Sequence, residues 1–395
     1  VKIREEFYNA LCKALESELS LNDALILMEA DNLELNLLLH VARYVRDKCF
    51  NKIITYSRKI FIPLTNICRN RCRYCGFRRS PKDRDAIFMN INEVLNLVKH
   101  AEKLKVKEVL ICTGEKPETK YVEIKEKLRM MGYESFVEYV LDVCRCILEK
   151  TKIMLIHTNI GVLDLDEMRM LKPYVVSMGL MLECVSERLC LPGMPHDESP
   201  TKHPKIRLEM IRNAGTLKIP FTTGILVGIG ETVEERIRSL FEIKRIHDEY
   251  GHIQEVIIQN FQPQKGTLMS THEPPSLIDM LKTIAVARLI FKDKVSIQAP
   301  PNLERNYELY LLAGINDWGG ISPITIDYIN PENPWPRIRT LRNVTESCRY
   351  VLRERLPIYP KFTKMINYVH ENLRDRVQLL VDDYGFVKKE FEVLE

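Results

Sequence analysis

Three cysteines stand within eight residues: Cys68, Cys72 and Cys75, in the run Cys68-Arg69-Asn70-Arg71-Cys72-Arg73-Tyr74-Cys75. The spacing is C-x3-C-x2-C. Three thiolates on one short loop can converge on one metal centre. The number is informative. A structural zinc takes four ligands in a closed shell, whereas an iron–sulfur cube held by three cysteines leaves one iron open. Five arginines (Arg69, Arg71, Arg73, Arg78 and Arg79) surround the cysteines. Cations beside a thiolate cluster offset its charge and favour the deprotonated ligands. Two other readings stay open on these residues alone. One is a zinc knuckle completed by a distant His or Cys. The other is a zinc-stabilised RNA-binding protein in which Tyr74 and Phe77 stack on bases.

Those side chains need elements to position them. From about residue 59, short β-rich apolar runs alternate with amphipathic stretches. The expected strands are 59–65, 108–112, 152–158, 174–183, 220–228, 254–261, 294–299 and 322–328, and the expected helices are 92–104, 135–149, 164–171, 203–217, 232–249, 276–292 and 302–313. Ser135 with Glu138, and Thr232 with Glu235, have capping-box spacing. Strands that alternate with helices pair in parallel, because each crossover needs a helix. Eight such units over about 250 residues favour a closed TIM-type (β/α)8 barrel, which places chemistry at the C-terminal ends of its strands. The cysteine loop directly follows the first strand. Residues 1–52 read as an N-terminal helical extension, 53–336 as the barrel and 337–395 as a C-terminal helical extension. The boundary at 330–336 is marked by Asn-Pro-Glu-Asn-Pro-Trp-Pro.

Composition bounds the function. Of 395 residues, 45% are apolar and 28% charged, with a formal net charge of +4. A balance this near neutral gives no global pull toward nucleic acid or anionic membrane. The longest uncharged stretch, Ile219 to Gly230, is twelve residues, whereas a membrane span needs about 20. The first residues carry no secretory pattern. Eleven cysteines, an odd number, are too sparse for a disulfide scaffold, so a cytoplasmic setting with free thiols is expected.

Cys-x3-Cys-x-aromatic-Cys after a first strand resembles the signature of the radical S-adenosylmethionine (SAM) enzymes. The resemblance implies a 4Fe–4S cluster on Cys68, Cys72 and Cys75, with SAM chelated at the open iron. Reduction would cleave SAM to methionine and a 5′-deoxyadenosyl radical that abstracts hydrogen from substrate. It further implies that Tyr74, Gly114, Glu115, Glu183, Arg207 and Gly228 bind SAM. Gly114-Glu115 is similar to the segment that holds the amino group. Glu183 would bond the ribose and Arg207 the carboxylate. Gly224-Ile225-Leu226-Val227-Gly228-Ile229-Gly230-Glu231 resembles the element that lies against adenine.

Further strings, among them Pro220-Phe221-Thr222-Thr223, Gln259-Asn260-Phe261-Gln262-Pro263-Gln264, Gln298-Ala299-Pro300-Pro301 and Asn316-Asp317-Trp318-Gly319-Gly320, are similar to the deazaflavin-forming branch of that family. The branch implies a lyase that closes a tyrosine-derived uracil adduct into the chromophore of coenzyme F(420) and releases ammonia. It also implies a sister subunit that makes the adduct and an external electron donor of ferredoxin or flavodoxin type. The sister subunit, biotin synthase and aromatic-amino-acid lyases share the same cysteine spacing. His157, Asn159, Asn260 and Asp317 are the expected catalytic candidates at the rim. With Gln259, Gln298 and Asn316 they would form a neutral, hydrogen-bonding pocket for a small-molecule substrate. No nucleic acid or membrane partner is expected.

Overall fold

The computed structural model describes residues 2–393. Helices α1 (Glu5–Glu16), α2 (Leu21–Met28) and α3 (Asn32–Phe50) precede β1 (Ile53–Thr65). Then come α4 (Ile91–Lys103), β2 (Glu108–Thr113), α5 (Val122–Met130), α6 (Phe136–Lys150), β3 (Leu155–Asn159), α7 (Leu165–Leu171) and β4 (Ser177–Gly179). The alternation continues with α8 (Pro204–Thr216), β5 (Phe221–Val227), α9 (Val233–Tyr250), β6 (Ile253–Asn260), α10 (Leu277–Phe291), β7 (Ser296–Gln298) and β8 (Asp317–Ile321). After these lie α11 (Ile338–Ser347), β9 (Val351–Arg355), α12 (Pro360–Thr363) and α13 (Glu371–Leu380).

Strands β1 to β8 are parallel and neighbours in chain order, and β1 pairs with both β2 and β8. That closes a (β/α)8 barrel. Strand β1 is buried from Ile54 to Thr65, as expected of a parallel strand covered on both faces. Reciprocal capping boxes start α3 (Asp31, Glu34), α4 (Asn90, Glu93) and α9 (Thr232, Glu235). Ser135 caps α6 in one direction only, because the Glu138 carboxylate accepts instead from the Glu134 N–H at 2.8 Å. The N-terminal helices pack on α9 and α10. The buried Arg46 guanidinium of α3 donates to the carbonyls of Leu311 and Ile315, fixing the approach to β8.

Several expectations shift. Strand β1 begins at Ile53 rather than residue 59, and β8 covers Asp317–Ile321 rather than 322–328. The expected helix 302–313 is two short 3-10 turns, Pro301–Leu303 and Tyr307–Leu311. The C-terminal extension, expected as helices, also contributes strand β9. It pairs with Ile53–Ser57 of β1, while β2 takes Lys59–Thr65 of the same strand. Strand β9 therefore lies below β2, at the N-terminal end of the barrel. Behind it Leu356, Ile358, Phe362, Leu373 and Val377 form a second apolar cluster with Leu155 and Val176. The Pro357 carbonyl accepts from Ser177 Oγ at 2.9 Å and Gln254 Nε2 at 3.0 Å. This segment is the floor of the barrel.

Arg355, the last residue of β9, points into the interior. Its Nε and Nη2 donate to Asp317 at 2.6 and 2.9 Å, and both residues are buried. Asp317 also accepts from Thr55 Oγ1 and, at 2.5 Å, from the Gly319 N–H. Removing one partner of a buried ion pair strands the other. Arg355→Met is expected to lower stability by roughly 3–5 kcal/mol, read as a fall in the urea midpoint. The Arg355→Met/Asp317→Asn double variant should recover part of that loss. An unchanged midpoint in the single variant would show that the pair does not secure the floor.

Candidate functional site

The loop after β1 is tied at both ends. The Cys68 N–H donates to the Arg79 carbonyl at 3.3 Å, and the Glu115 N–H donates to Cys68 Sγ at 3.2 Å. Asn70 Nδ2 donates to Thr201 Oγ1 at 2.6 Å, and the Arg71 N–H to Ser199 Oγ at 3.1 Å. The loop is thus clamped between the strand end of β2 and the segment before α8. Gly114 is required here: a Cβ would lie 2.1 Å from the Ile67 carbonyl oxygen and 3.0 Å from Cys68 Cβ.

Cys68, Cys72 and Cys75 line one cavity of about 230 Å3 at the C-terminal mouth of the barrel. Burial pushes the Cys68 thiol up to about 12. Burial and then the neighbouring Cys72 raise Cys75. A thiol so raised ionises when a cation takes the proton's place, which is metal-ligand chemistry. The three sulfurs border one volume, and a donor set of three thiols fits an iron–sulfur cluster with one open iron.

Of the residues expected around SAM, Tyr74, Gly114, Glu115, Glu183 and Arg207 all line this cavity. Tyr74 is oriented by its hydroxyl against His196 Nε2 at 3.1 Å. Burial holds His196 neutral, its pKa lowered to about 2. The Glu115 carboxylate is engaged by Arg69, whose Nε and Nη2 donate at 3.0 and 2.8 Å. Glu183 sits at φ +65°, a left-handed conformation that costs a non-glycine residue roughly 1–2 kcal/mol. Its Oε1 is 2.5 Å from Lys202 Nζ and 4.0 Å from Arg207 Nη2. Lys202 also lines the cavity, and no sequence pattern marked it. Gly228 is not in this wall. It forms the turn after β5, its N–H donating to Glu231 Oε1 at 2.9 Å, and a Cβ there would lie 2.6 Å from Pro275 Cδ. Leu226 and Phe261 form the apolar wall instead.

The arginines of the loop are not a free basic surface. Arg69, Arg71, Arg73 and Arg79 pair with Glu115, Glu198, Asp197 and Asp85, and Arg78 donates to Ser80 and Tyr121. Their role is to pin the loop, which removes the stacked-base reading's cationic groove.

A second cavity of about 180 Å3 lies deeper in the barrel and shares Cys112, Asn159, Gln259 and Asn330 with the first. His157 and Asn159 line it as expected, as does Gln298. Two rim candidates are corrected. Asp317 is the first residue of β8, at the floor and consumed by Arg355. Asn260 faces away from both cavities, its Nδ2 donating to the Leu303 carbonyl at 2.7 Å. Nor is the pocket neutral, since Lys59, Glu108, Glu255, Asp327 and Arg355 line it. Burial pushes the Glu255 carboxyl up to about 7, against the pull of Arg355. Burial holds the His157 imidazole neutral, its pKa lowered to about 3, with Arg355 and Lys59 adding to the effect. Its Nδ1 is 2.7 Å from Ser177 Oγ.

Two predictions test this geometry. Gly114→Ala, with nowhere to place its methyl group, should destabilise the fold by about 1–3 kcal/mol, read by thermal unfolding. An unaltered melting temperature would contradict the close approach to Cys68. For His157, the folded pKa lies below the unfolded value, so its contribution is complete above about 6.5 and is lost as pH falls toward about 3. Stability of the native chain should decline across that window, by up to roughly 1.4 kcal/mol per pH unit from this residue. A His157→Asn variant should show a shallower decline in denaturant titrations, and an equal slope would refute the assignment.

Residues 62–243 match the family model of the Radical SAM superfamily, whose members carry a 4Fe–4S cluster and use SAM. The 7,8-didemethyl-8-hydroxy-5-deazariboflavin synthase of Methanopyrus kandleri is 50% identical over 337 residues, covering 85% of this chain and 100% of the relative. The same-named protein of Methanocaldococcus jannaschii is 50% identical over 85% of this chain and 90% of its own. That of Archaeoglobus fulgidus is 48% identical over 85% and 99%. Among solved structures, the FeFe-hydrogenase maturase HydG from Carboxydothermus hydrogenoformans aligns with a TM-score of 0.75 at 19% identity, over 95% of this chain and 90% of that one. Methylornithine synthase (PylB) aligns at 0.69 and 21% identity, over 87% and 97%. Those two show the fold alone. By the thiol-lined mouth of its barrel and by its identity with these relatives, the chain belongs to the radical SAM superfamily and, within it, to the 7,8-didemethyl-8-hydroxy-5-deazariboflavin synthase family.

Proposed function

We propose that this chain converts 5-amino-5-(4-hydroxybenzyl)-6-(D-ribitylimino)-5,6-dihydrouracil to 7,8-didemethyl-8-hydroxy-5-deazariboflavin with release of ammonia, a lyase step in coenzyme F(420) biosynthesis. The observation that carries the reading is about 50% identity along nearly the whole length of the named synthases. Cys68, Cys72 and Cys75 would hold the 4Fe–4S cluster as thiolates, leaving one iron for SAM. When bound, the cluster and SAM supply a radical able to take hydrogen from an unactivated carbon. The chain's own residues do the rest. Tyr74, Gly114 and Glu115 form the wall beside the sulfurs. Lys202 and Arg207, held on Glu183, present positive charge to a carboxylate. Leu226 and Phe261 exclude water from the same volume. The adjoining deeper cavity takes the substrate, so the two ligands meet across Cys112, Asn159 and Gln259. Such contact turns hydrogen transfer into a positioned, effectively unimolecular step.

The reading places the protein in the cytoplasm, supplied with adduct by a sister subunit of FO synthase and with electrons by a ferredoxin or flavodoxin type donor. Its support is the set of free thiols and the family's chemistry. The test is turnover after anaerobic cluster reconstitution, with SAM, reductant and the adduct, read as 5′-deoxyadenosine and deazaflavin fluorescence. Both products are expected from the native chain. Cys72→Ala should lose cluster iron and both products to background. Normal turnover by that variant would overturn the cluster assignment. Deoxyadenosine without deazaflavin from the native chain would overturn the substrate.

A further inference from the structure

We infer that Lys59, with Glu108 and Gln298, forms a subsite in the deeper cavity that takes the polyhydroxylated chain of the substrate, and that Lys59 is the specificity-determining contact there. The identity of the ligand rests on the proposed function; the subsite rests on what the barrel leaves unsatisfied. Lys59 is 8% exposed, yet among the described residues its Nζ makes no hydrogen bond and no ion pair. It lies 4.6 Å from the centroid of Trp335 and 5.9 Å from that of Phe61, with the carboxylates of Glu108, Asp327 and Glu255 attracting it from beyond ion-pair distance. Glu108, its register partner on β2, is 6% exposed and its carboxylate accepts no hydrogen bond from the described residues. Gln298 Oε1 on β7 is buried without a partner. All three line the cavity. A polar group buried unpaired is unfavourable, and a ligand that pairs it gains by relieving that cost.

Strand β8 is shaped around these side chains. A Cβ at Gly320 would lie 2.3 Å from Lys59 Cδ and 2.9 Å from its Nζ, and one at Gly319 would lie 2.4 Å from Gln298 Nε2. The glycine pair keeps space for the side chains of Lys59 and Gln298. An ammonium only donates, a carboxylate only accepts and an amide does both. Anionic ligands would meet Glu108 and Asp327, and cationic ligands Lys59 and Arg355. A row of hydroxyls, each able to donate and accept, satisfies Lys59, Glu108 and Gln298 together, with Trp335 as an apolar wall.

The test is equilibrium dialysis of the reconstituted protein against two deazaflavins: 7,8-didemethyl-8-hydroxy-5-deazariboflavin, and its analogue carrying a methyl group in place of the ribityl chain. The native protein should hold the ribityl compound about tenfold or more tighter. Lys59→Met should bring the two affinities to within about twofold by weakening the ribityl compound alone, and Gln298→Leu, a change that spares the charges, should move the same ratio in the same direction. Turnover supplies a second readout: KM for the adduct rises in both variants. Equal binding of the two deazaflavins by the native protein, or a native preference retained in both variants, overturns the subsite and leaves the proposed function standing. Failure of the native protein to bind either compound overturns the proposed function and the subsite with it.

Discussion

A charge inside a parallel barrel must find an opposite charge or a ligand, and this constraint organises the molecule. Barrels of this class fill their interior with branched apolar side chains. Here Lys59, Glu108, Glu255, Asp317 and Arg355 come from β1, β2, β6, β8 and β9 and are all buried. The floor answers the constraint within the protein: Arg355 satisfies Asp317 and approaches Glu255 at 3.6 Å. Higher in the barrel the answer is incomplete, and the space left open is the deeper cavity. The division between structural and functional charge follows the direction of the strands.

The mouth of the barrel applies the same rule to sulfur. Burial raises the Cys68 and Cys75 thiols above their ordinary value, so the loop that carries them is held by partners that do not depend on their ionisation. These are the Glu115 N–H on Cys68, the contacts to Ser199 and Thr201, and four arginine–carboxylate pairs. Several of those pairs are exposed and individually contribute little. Their value is positional: Arg69 ties the loop to the end of β2, Arg71 and Arg73 tie it to the segment before α8, and Arg79 ties it to Asp85 further along itself. Glu183, in its left-handed conformation, presents one carboxylate to both Lys202 and Arg207. Strain there is kept because the two cations and the β5 pairing over-determine the residue.

The sequence shows the cysteine triplet plainly because covalent spacing alone brings the sulfurs together. It shows the strand–helix alternation because parallel strands read as apolar runs and because Ser135 and Thr232 announce helix starts. Strand β8 lies earlier than its apolar run suggests because Asp-Trp-Gly-Gly-Ile has little intrinsic strand preference; its glycines answer to the side chains of Lys59 and Gln298, which a local pattern does not contain. Arg355 and Glu255 met Asp317 only through closure of the barrel. Asp317 therefore looked like a rim group when it is a floor group. Helix α5 escaped notice because its Glu- and Lys-rich surface carries only Ile124 and Leu128 into the core.

The pairing of β1 bears on how the chain is made. As the barrel's first strand in chain order, it finds β2 early, but its other edge waits for β8 and its leading half for β9. Until about residue 355 has emerged, the nascent barrel keeps an unpaired apolar seam and an uncompensated aspartate. Late closure of such a seam is slow and leaves strand edges open to wrong partners. Synthesis of this protein therefore calls for shielding of a growing intermediate until β9 has emerged, and the segment that carries β9 acts as a latch rather than an appendage.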